Sequence, residues 1–182
     1  MRCFLDIDGV LCDWTGTMHR RLGIAYDYAN WPYAKGPDGW YWHNDLGWSF
    51  DAVSQLCDFE FWVNASETHD GREIMTIVRR HFELNEITLL TAPMPNVMSA
   101  SGKIEWVRRH YPEFERRMMV CTASKAILAA LPGSLLIDDG PCNIRDWTAA
   151  GGRAITVPRW WNDEHHLALK SASVVEKHLE KG

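Results

Sequence analysis

Arg2-Cys3-Phe4-Leu5-Asp6-Ile7-Asp8-Gly9-Val10-Leu11-Cys12-Asp13 is the stretch whose reading decides the fold. Its apolar run ends abruptly in two aspartates one residue apart and then a glycine, the pattern of a buried strand closed by a turn. Carboxylates are rarely buried unless something positive pairs with them. Asp6 and Asp8 are therefore expected at the C-terminal end of the strand, where open α/β sheets bind ligands. A divalent cation there would relieve their repulsion. Taken alone, a bare Asp-x-Asp reads as a strand running into an acidic turn. A second acidic pair further along changes that reading.

The second pair lies in Ser134-Leu135-Leu136-Ile137-Asp138-Asp139-Gly140, which repeats the grammar of apolar strand, two carboxylates and glycine. Two such strand ends meeting at one edge of a parallel sheet would form an oxygen-rich cage suited to Mg²⁺. Between them, Glu86-Ile87-Thr88-Leu89-Leu90 runs into Thr91, and Met118-Met119-Val120 leads through Cys121 to Lys125. A hydroxyl and an ammonium suit a phosphate that the metal also touches. Singly, Thr91 reads as a strand-end cap and Lys125 as a solvated helix residue. As an ordered set, each after an apolar run, they point to phosphoryl chemistry.

That set resembles the four motifs of the haloacid dehalogenase-like phosphohydrolases, and within them the 5′-deoxyribonucleotidase family. The resemblance lies in Asp6 to Trp14, Phe61-Trp62, Leu90-Thr91-Ala92-Pro93, Lys103-Ile104-Glu105-Trp106-Val107 with Tyr111-Pro112, and Leu135 to Asp139, extending to about residue 157. It implies a Rossmann-like α/β fold with a parallel sheet, helices on both faces and a small, mainly helical cap after the first strand. The core would comprise residues 1–22 and 71–182, and the cap residues 23–70. It also implies a Mg²⁺-dependent 5′-nucleotidase acting on nucleoside monophosphates, with Phe61 and Trp62 stacking on the base.

Composition agrees with this. A chain of 182 residues with a net charge of −5 suits one domain carrying an insertion, and has no electrostatic footprint for a nucleic-acid polymer. No apolar stretch approaches membrane-spanning length, no signal peptide is expected, and a cytoplasmic location follows as the expectation. The sequence leaves a homodimer open. Five cysteines, odd in number and without Cys-x-x-Cys spacing, read as small buried hydrophobes, with Cys12 and Cys121 flanking the site.

The rest of the chain alternates strands and helices, which argues for a parallel sheet covered on both faces. Helices are expected over Asp13 to Leu22 with Asp13 as cap, from Asp70 to Leu84, and from a Ser101 cap through Ile104 and Val107. Further helices are expected at Lys125–Leu131, Asn143–Ala150 and Asp163–Lys181, with a last strand at Ala154–Val157. Residues 23–70 break the alternation and hold half of the chain's ten tryptophans, including Trp31, Trp40, Trp42 and Trp48. Most of these rings would form the cap's own core. Others facing the metal would stack on a planar base, and by resemblance Phe61 and Trp62 come before Trp31, Trp40 and Trp42.

The residue types then suggest a mechanism. Asp6 would attack phosphorus to give an aspartyl-phosphate, and Asp8 would protonate the leaving oxygen and later activate water. Mg²⁺ would be held by Asp6, the Asp8 carbonyl and Asp138 or Asp139, with Asp139 the favoured direct ligand. Thr91 and Lys125 would bind the phosphoryl group. Ala92 and Gly140, where the family usually carries a serine and a basic residue, and the Thr122-Ala123-Ser124 approach to Lys125 would shape the rim of the phosphate and sugar pocket. Two other readings use the same residues: a phosphatase for another small ester such as a sugar phosphate, and a non-catalytic binding module on the same fold.

Overall fold

The computed structural model describes residues 1–181. Five parallel strands form one sheet in the order β3-β2-β1-β4-β5. They are β1 (Arg2–Leu5), β2 (Ile87–Thr91), β3 (Met118–Val120), β4 (Ser134–Asp138) and β5 (Arg153–Thr156). Side chains alternate across this sheet as the two-residue period of a strand requires. Leu5, Leu89 and Ile137 face one core layer, while Phe4, Leu90 and Leu136 face another packed on Trp147. Both faces are covered, which is the condition for a parallel sheet.

Helices fill the crossovers. α1 (Trp14–Arg21) starts where the Asp13 carboxylate accepts the Gly16 amide at 2.8 Å, as its capping position predicts. α2 (Phe50–Gln55) and α3 (Phe59–Val63) follow, then α4 (Gly71–His81). α5 (Ser99–His110) precedes β3, α6 (Pro141–Ala149) precedes β5, and α7 (Ser171–Glu180) closes the chain against α4. The segment at Lys125–Leu128 is a short 3-10 turn, and another at His165–Lys170 precedes α7 where the first turns of the C-terminal helix are expected.

α5 departs from expectation in a way that matters. It starts at Ser99, so Ser101 lies inside its first turn and returns its hydroxyl to the Met98 carbonyl. Its buried face carries Gly102, Lys103, Trp106 and Val107, whereas Ile104 is 43 % exposed. A lysine thus takes the core-facing position that the apolar spacing assigns to Ile104.

Residues 23–70 add no strand to the sheet, only 3-10 turns at Tyr28–Asn30 and Gly36–Leu46 followed by α2 and α3. The chain leaves the sheet at Asp13 and returns beside its exit. The Asp13 amide donates to the Ser66 carbonyl and the Thr68 amide to Leu11, both at 2.8 Å. Inside the segment, His19 of α1 stacks on Trp42 with ring centroids 4.4 Å apart and meets Tyr26 at 4.6 Å. Trp31 and Trp42 are buried there. α3 packs on α5 and α1, so the end of the insertion belongs to the main core.

Candidate active site

The two acidic pairs meet where β1 adjoins β4. From that boundary the chain winds outward to β2 and β3 on one side and β5 on the other, and crevices open at such reversals. The ladder continues one residue past β1, with the Asp6 amide donating to the Ile137 carbonyl at 2.9 Å. Gly9 is required in the turn that follows. Its φ is +74°, and a Cβ there would lie 2.2 Å from an Asp139 carboxylate oxygen.

Oxygens of Asp6, Asp138 and Asp139 lie within 4.8 Å of one another, all three side chains being buried. Lys125 spans two of them, 2.6 Å from Asp6 Oδ1 and 2.7 Å from Asp138 Oδ2. Asp138 is saturated, since its carboxylate also accepts the Gly140 amide and the Asn143 amide group. Asp139 Oδ2 accepts the Trp161 indole N–H at 2.6 Å, and Asn162 fixes its backbone carbonyl. Asp6 Oδ1 takes the Ile7 amide as well as Lys125, which leaves Oδ2 without a hydrogen-bond partner among the described residues.

The second lysine is Lys103. Its ammonium reaches Asp8 Oδ2 at 2.5 Å and Thr91 Oγ1 at 3.1 Å, donates to the Ala92 carbonyl, and rests 4.3 Å from the centre of the Trp62 ring. The Thr91 hydroxyl donates to the same Asp8 oxygen at 3.1 Å. Asp8 Oδ1 is buried with no partner.

Burial, then the neighbouring Asp138, raises the Asp6 carboxyl well above the ordinary carboxylate range against the pull of Lys125. The same two causes push Asp139 up to about 7, opposed by the Trp161 hydrogen bond. Burial disfavours the Lys125 ammonium, yet Asp138 and Asp6 raise it above its usual range. Formally, four carboxylates (Asp6, Asp8, Asp138, Asp139) face two ammonium groups (Lys103, Lys125), which leaves two negative charges uncompensated. The all-oxygen donor set and that deficit fit a hard divalent cation such as Mg²⁺.

Above this floor opens a cavity of about 440 Å³, walled by Trp14, Trp40, Trp42, His43, Phe50, Met94 and Trp161. Asp6, Asp8, Ala92, Lys125 and Asp139 line it. Four expected site residues do not line the cavity itself. Thr91 is fully buried behind Asp8, and Asp138 is fully buried as the anchor of Lys125. Phe61 and Trp62 do not line the cavity. They are 2 % and 0 % exposed, and the Trp62 indole donates to the Cys57 carbonyl. The physical reason is α3 itself, whose apolar face is consumed by α5, where a Cβ at Gly102 would strike the Trp62 side chain. Of the three rings ranked behind them, Trp40 and Trp42 reach the cavity, and Trp31 packs on Tyr33 and Trp161.

Several contributors carry no sequence signal. Arg159 is fully buried, makes paired bonds of 2.8 and 2.9 Å to Asp70, and donates to the Gly9 carbonyl at 2.6 Å, so it clamps the turn that follows Asp8. Trp161 and Asn143 orient the second acidic pair. Cys12 is buried and its thiol is held protonated, first by burial and then by Asp8, and the five cysteines are all free.

A family model described as 5′ nucleotidase, deoxy (pyrimidine), cytosolic type C matches residues 1–177. Among solved structures, a haloacid dehalogenase-like hydrolase from Streptococcus pneumoniae is similar at 12 % identity and TM-score 0.47, covering 93 % of this chain and 90 % of its own. A phosphonoacetaldehyde hydrolase-like protein from Oleispira antarctica is similar at 14 % identity and TM-score 0.42, covering 99 % and 83 %. No curated protein sequence matches.

Proposed function

The chain belongs to the family of 5′ nucleotidases, deoxy (pyrimidine), cytosolic type C, enzymes of the haloacid dehalogenase type, and from that premise we propose that it hydrolyses the 5′-phosphate of deoxyribonucleoside monophosphates by way of Asp6. The observation that carries this reading is the unpaired Asp6 Oδ2, set beside Lys125 on the acidic floor of an aromatic-walled cavity. A phosphate monoester is inert, so its hydrolysis needs charge neutralisation, a positioned nucleophile and a proton for the departing oxygen.

Asp6 Oδ2 attacks phosphorus. The bond to O5′ breaks, its electron pair goes to O5′, and Asp8 supplies the proton, leaving a nucleoside and an aspartyl-phosphate. Asp8 then takes a proton from water as that oxygen attacks phosphorus, and Asp6 is freed with inorganic phosphate. Lys125 lines the same cavity and would offset the charge of the phosphoryl oxygens. Asp6, Asp139 and the Asp8 backbone carbonyl would hold Mg²⁺, with Asp138 retaining Lys125. When bound, that ion neutralises phosphoryl charge and relieves the repulsion among the carboxylates.

Trp40 and Phe50, 42 % and 45 % exposed, are the most exposed rings of the cavity and the ones we assign to the base. Beyond the floor the lining has no Asp, Glu, Lys or Arg side chain and its walls are mostly aromatic, which favours a planar ring over the hydroxyl-rich surface of a sugar phosphate. Residues 23–70 would act as the lid over this pocket, and the cytosol is the compartment we propose. No helix of the described residues is long and apolar enough to cross a membrane.

The test is phosphate release from deoxyribo- and ribonucleoside monophosphates and sugar phosphates, with Mg²⁺ and with EDTA, for the unmodified protein and Asp6→Asn. Metal-dependent release from deoxynucleotides, lost by a factor of roughly 10⁴ or more in Asp6→Asn, is the expected result. Release confined to sugar phosphates would overturn the base-binding assignment, and activity surviving in Asp6→Asn would overturn the nucleophile.

A further inference from the structure

Lys103 is an anomaly for a lysine: only 1 % exposed, with its ammonium spent on acceptors that all belong to the active site. Lysine ordinarily keeps its head in water, and a buried cation is stable only when fully paired. All three protein acceptors lie on two segments, Asp8 after β1 and Thr91-Ala92 at the end of β2. The ring of Trp62 closes the fourth side.

Asp8 feels the consequence. Lys103 and Thr91 both bind Oδ2, so that oxygen is occupied, while Oδ1 of the same carboxyl is buried without a partner. Without these two donors the carboxyl would be free to rotate about its terminal torsion, which is broad and roughly two-fold. We propose that Lys103 is a positioning residue that locks the Asp8 carboxyl through Oδ2 and thereby fixes the orientation in which Asp8 exchanges its proton, first with O5′ and then with water. This assignment rests on the reading of Asp6 and Asp8 given above. It also gives Trp62 a different part from base stacking, as the floor under the Lys103 ammonium.

Two substrates separate this role from a general structural one. A nucleoside is a poor leaving group whose oxygen must be protonated, whereas 4-nitrophenolate departs without a proton. Both substrates need Asp8 as the base in the second half-reaction. In Lys103→Met, acid-quench measurement of a single turnover should show the first step with a deoxynucleoside monophosphate slowed by roughly 100-fold, the scale of a catalytic group displaced by about 1 Å. With 4-nitrophenyl phosphate the first step should stay within about five-fold of normal. A burst of one equivalent of nitrophenol should then precede slow turnover, because the phosphoenzyme accumulates. Lys103→Arg, which keeps a cation above Trp62, should show the same asymmetry at smaller amplitude and covers the case in which Lys103→Met does not fold. Equal slowing of the first step with both substrates, or no slowing with either, overturns the positioning role alone. Activity surviving in Asp6→Asn overturns the Asp6 reading, and this assignment with it.

Discussion

At the floor of the cavity, Asp6, Asp138, Asp139 and Lys125 are at most 5 % exposed and hold one another through bonds of 2.6 to 2.7 Å or hydrogen bonds to fixed neighbours. At its mouth, Trp40 and Phe50 are about half-exposed, and Trp40 has no ring partner among the contacts of the described residues. The floor is preorganised by charge at strand ends, and each group is fixed by two or more others. The mouth is set by short helices and 3-10 turns of an inserted segment, where a ring can be changed without disturbing a network. Chemistry should therefore be insensitive to the base, and base preference should be tunable without touching the chemistry.

Breaking the floor gives the largest effect. Lys125→Met removes the cation shared by Asp6 and Asp138, and turnover should fall by roughly 10²–10³-fold, the scale seen when one preorganised electrostatic group is lost. The loss should be the same fold for every base tested by steady-state kinetics; a base-dependent loss would mean that floor and mouth are coupled. Next comes the clamp behind the floor. Arg159→Met strands the buried Asp70 carboxylate and frees the Gly9 carbonyl, so urea unfolding should show a loss of about 3–5 kcal/mol. Loss under about 1 kcal/mol would show that Asp70 finds another partner or a proton.

The mouth answers to a different measurement. Trp40→Ala should raise KM for the preferred nucleotide by roughly 5- to 150-fold, the value of one base–aromatic stack of about 1–3 kcal/mol. The kcat should be nearly unchanged. Phe61→Leu is the control, since its ring is buried against Trp62 at 5.0 Å. It should cost about 1 kcal/mol in urea unfolding and leave KM alone. A KM effect from Phe61→Leu with none from Trp40→Ala would return the base to α3.

The same contrast explains what could be read from the sequence. Asp6, Asp8, Asp138, Asp139, Thr91 and Lys125 were legible because a carboxylate, hydroxyl or lysine at the end of an apolar run conflicts with burial, and chemistry resolves the conflict. The parallel sheet was legible for the same reason, from apolar runs alternating with helical spacing. Aromatic rings create no such conflict. Phe61 and Trp62 satisfy a core and a base pocket equally well, and only the packing of α3 on α5 decides between them. Lys103 opens one of the stretches that carry the resemblance but gains no role from it, and Arg159 has no signal at all, for the opposite reason. A cation on a helix or after a strand is normally solvated, and burial of its partner shows only in three dimensions.

The smallest effect concerns how the mouth is held. His19, fully buried, donates from Nδ1 to the Thr15 carbonyl at 2.7 Å and accepts the Tyr33 hydroxyl at Nε2, 2.6 Å away, while stacked between Trp42 and Tyr26. That arrangement suits the neutral ring. Burial lowers its pKa below the ordinary 6.5, against the opposing Thr15 hydrogen bond and the Asp13 charge. The unfolded chain takes up this proton near 6.5 and the folded one only at lower pH. Stability should therefore fall as pH drops through 6.5 and level off once His19 is charged in both states. His69 and His110 are shifted the same way, so the total slope does not isolate His19. The difference in urea midpoint between the unmodified protein and His19→Gln, followed from pH 7.5 to about 5.5 around that transition, does isolate it. A slope that shrinks in His19→Gln places the acid-sensitive joint behind Trp42, under the wall of the cavity. An unchanged slope moves it to His69 and His110, which lie outside the cavity lining.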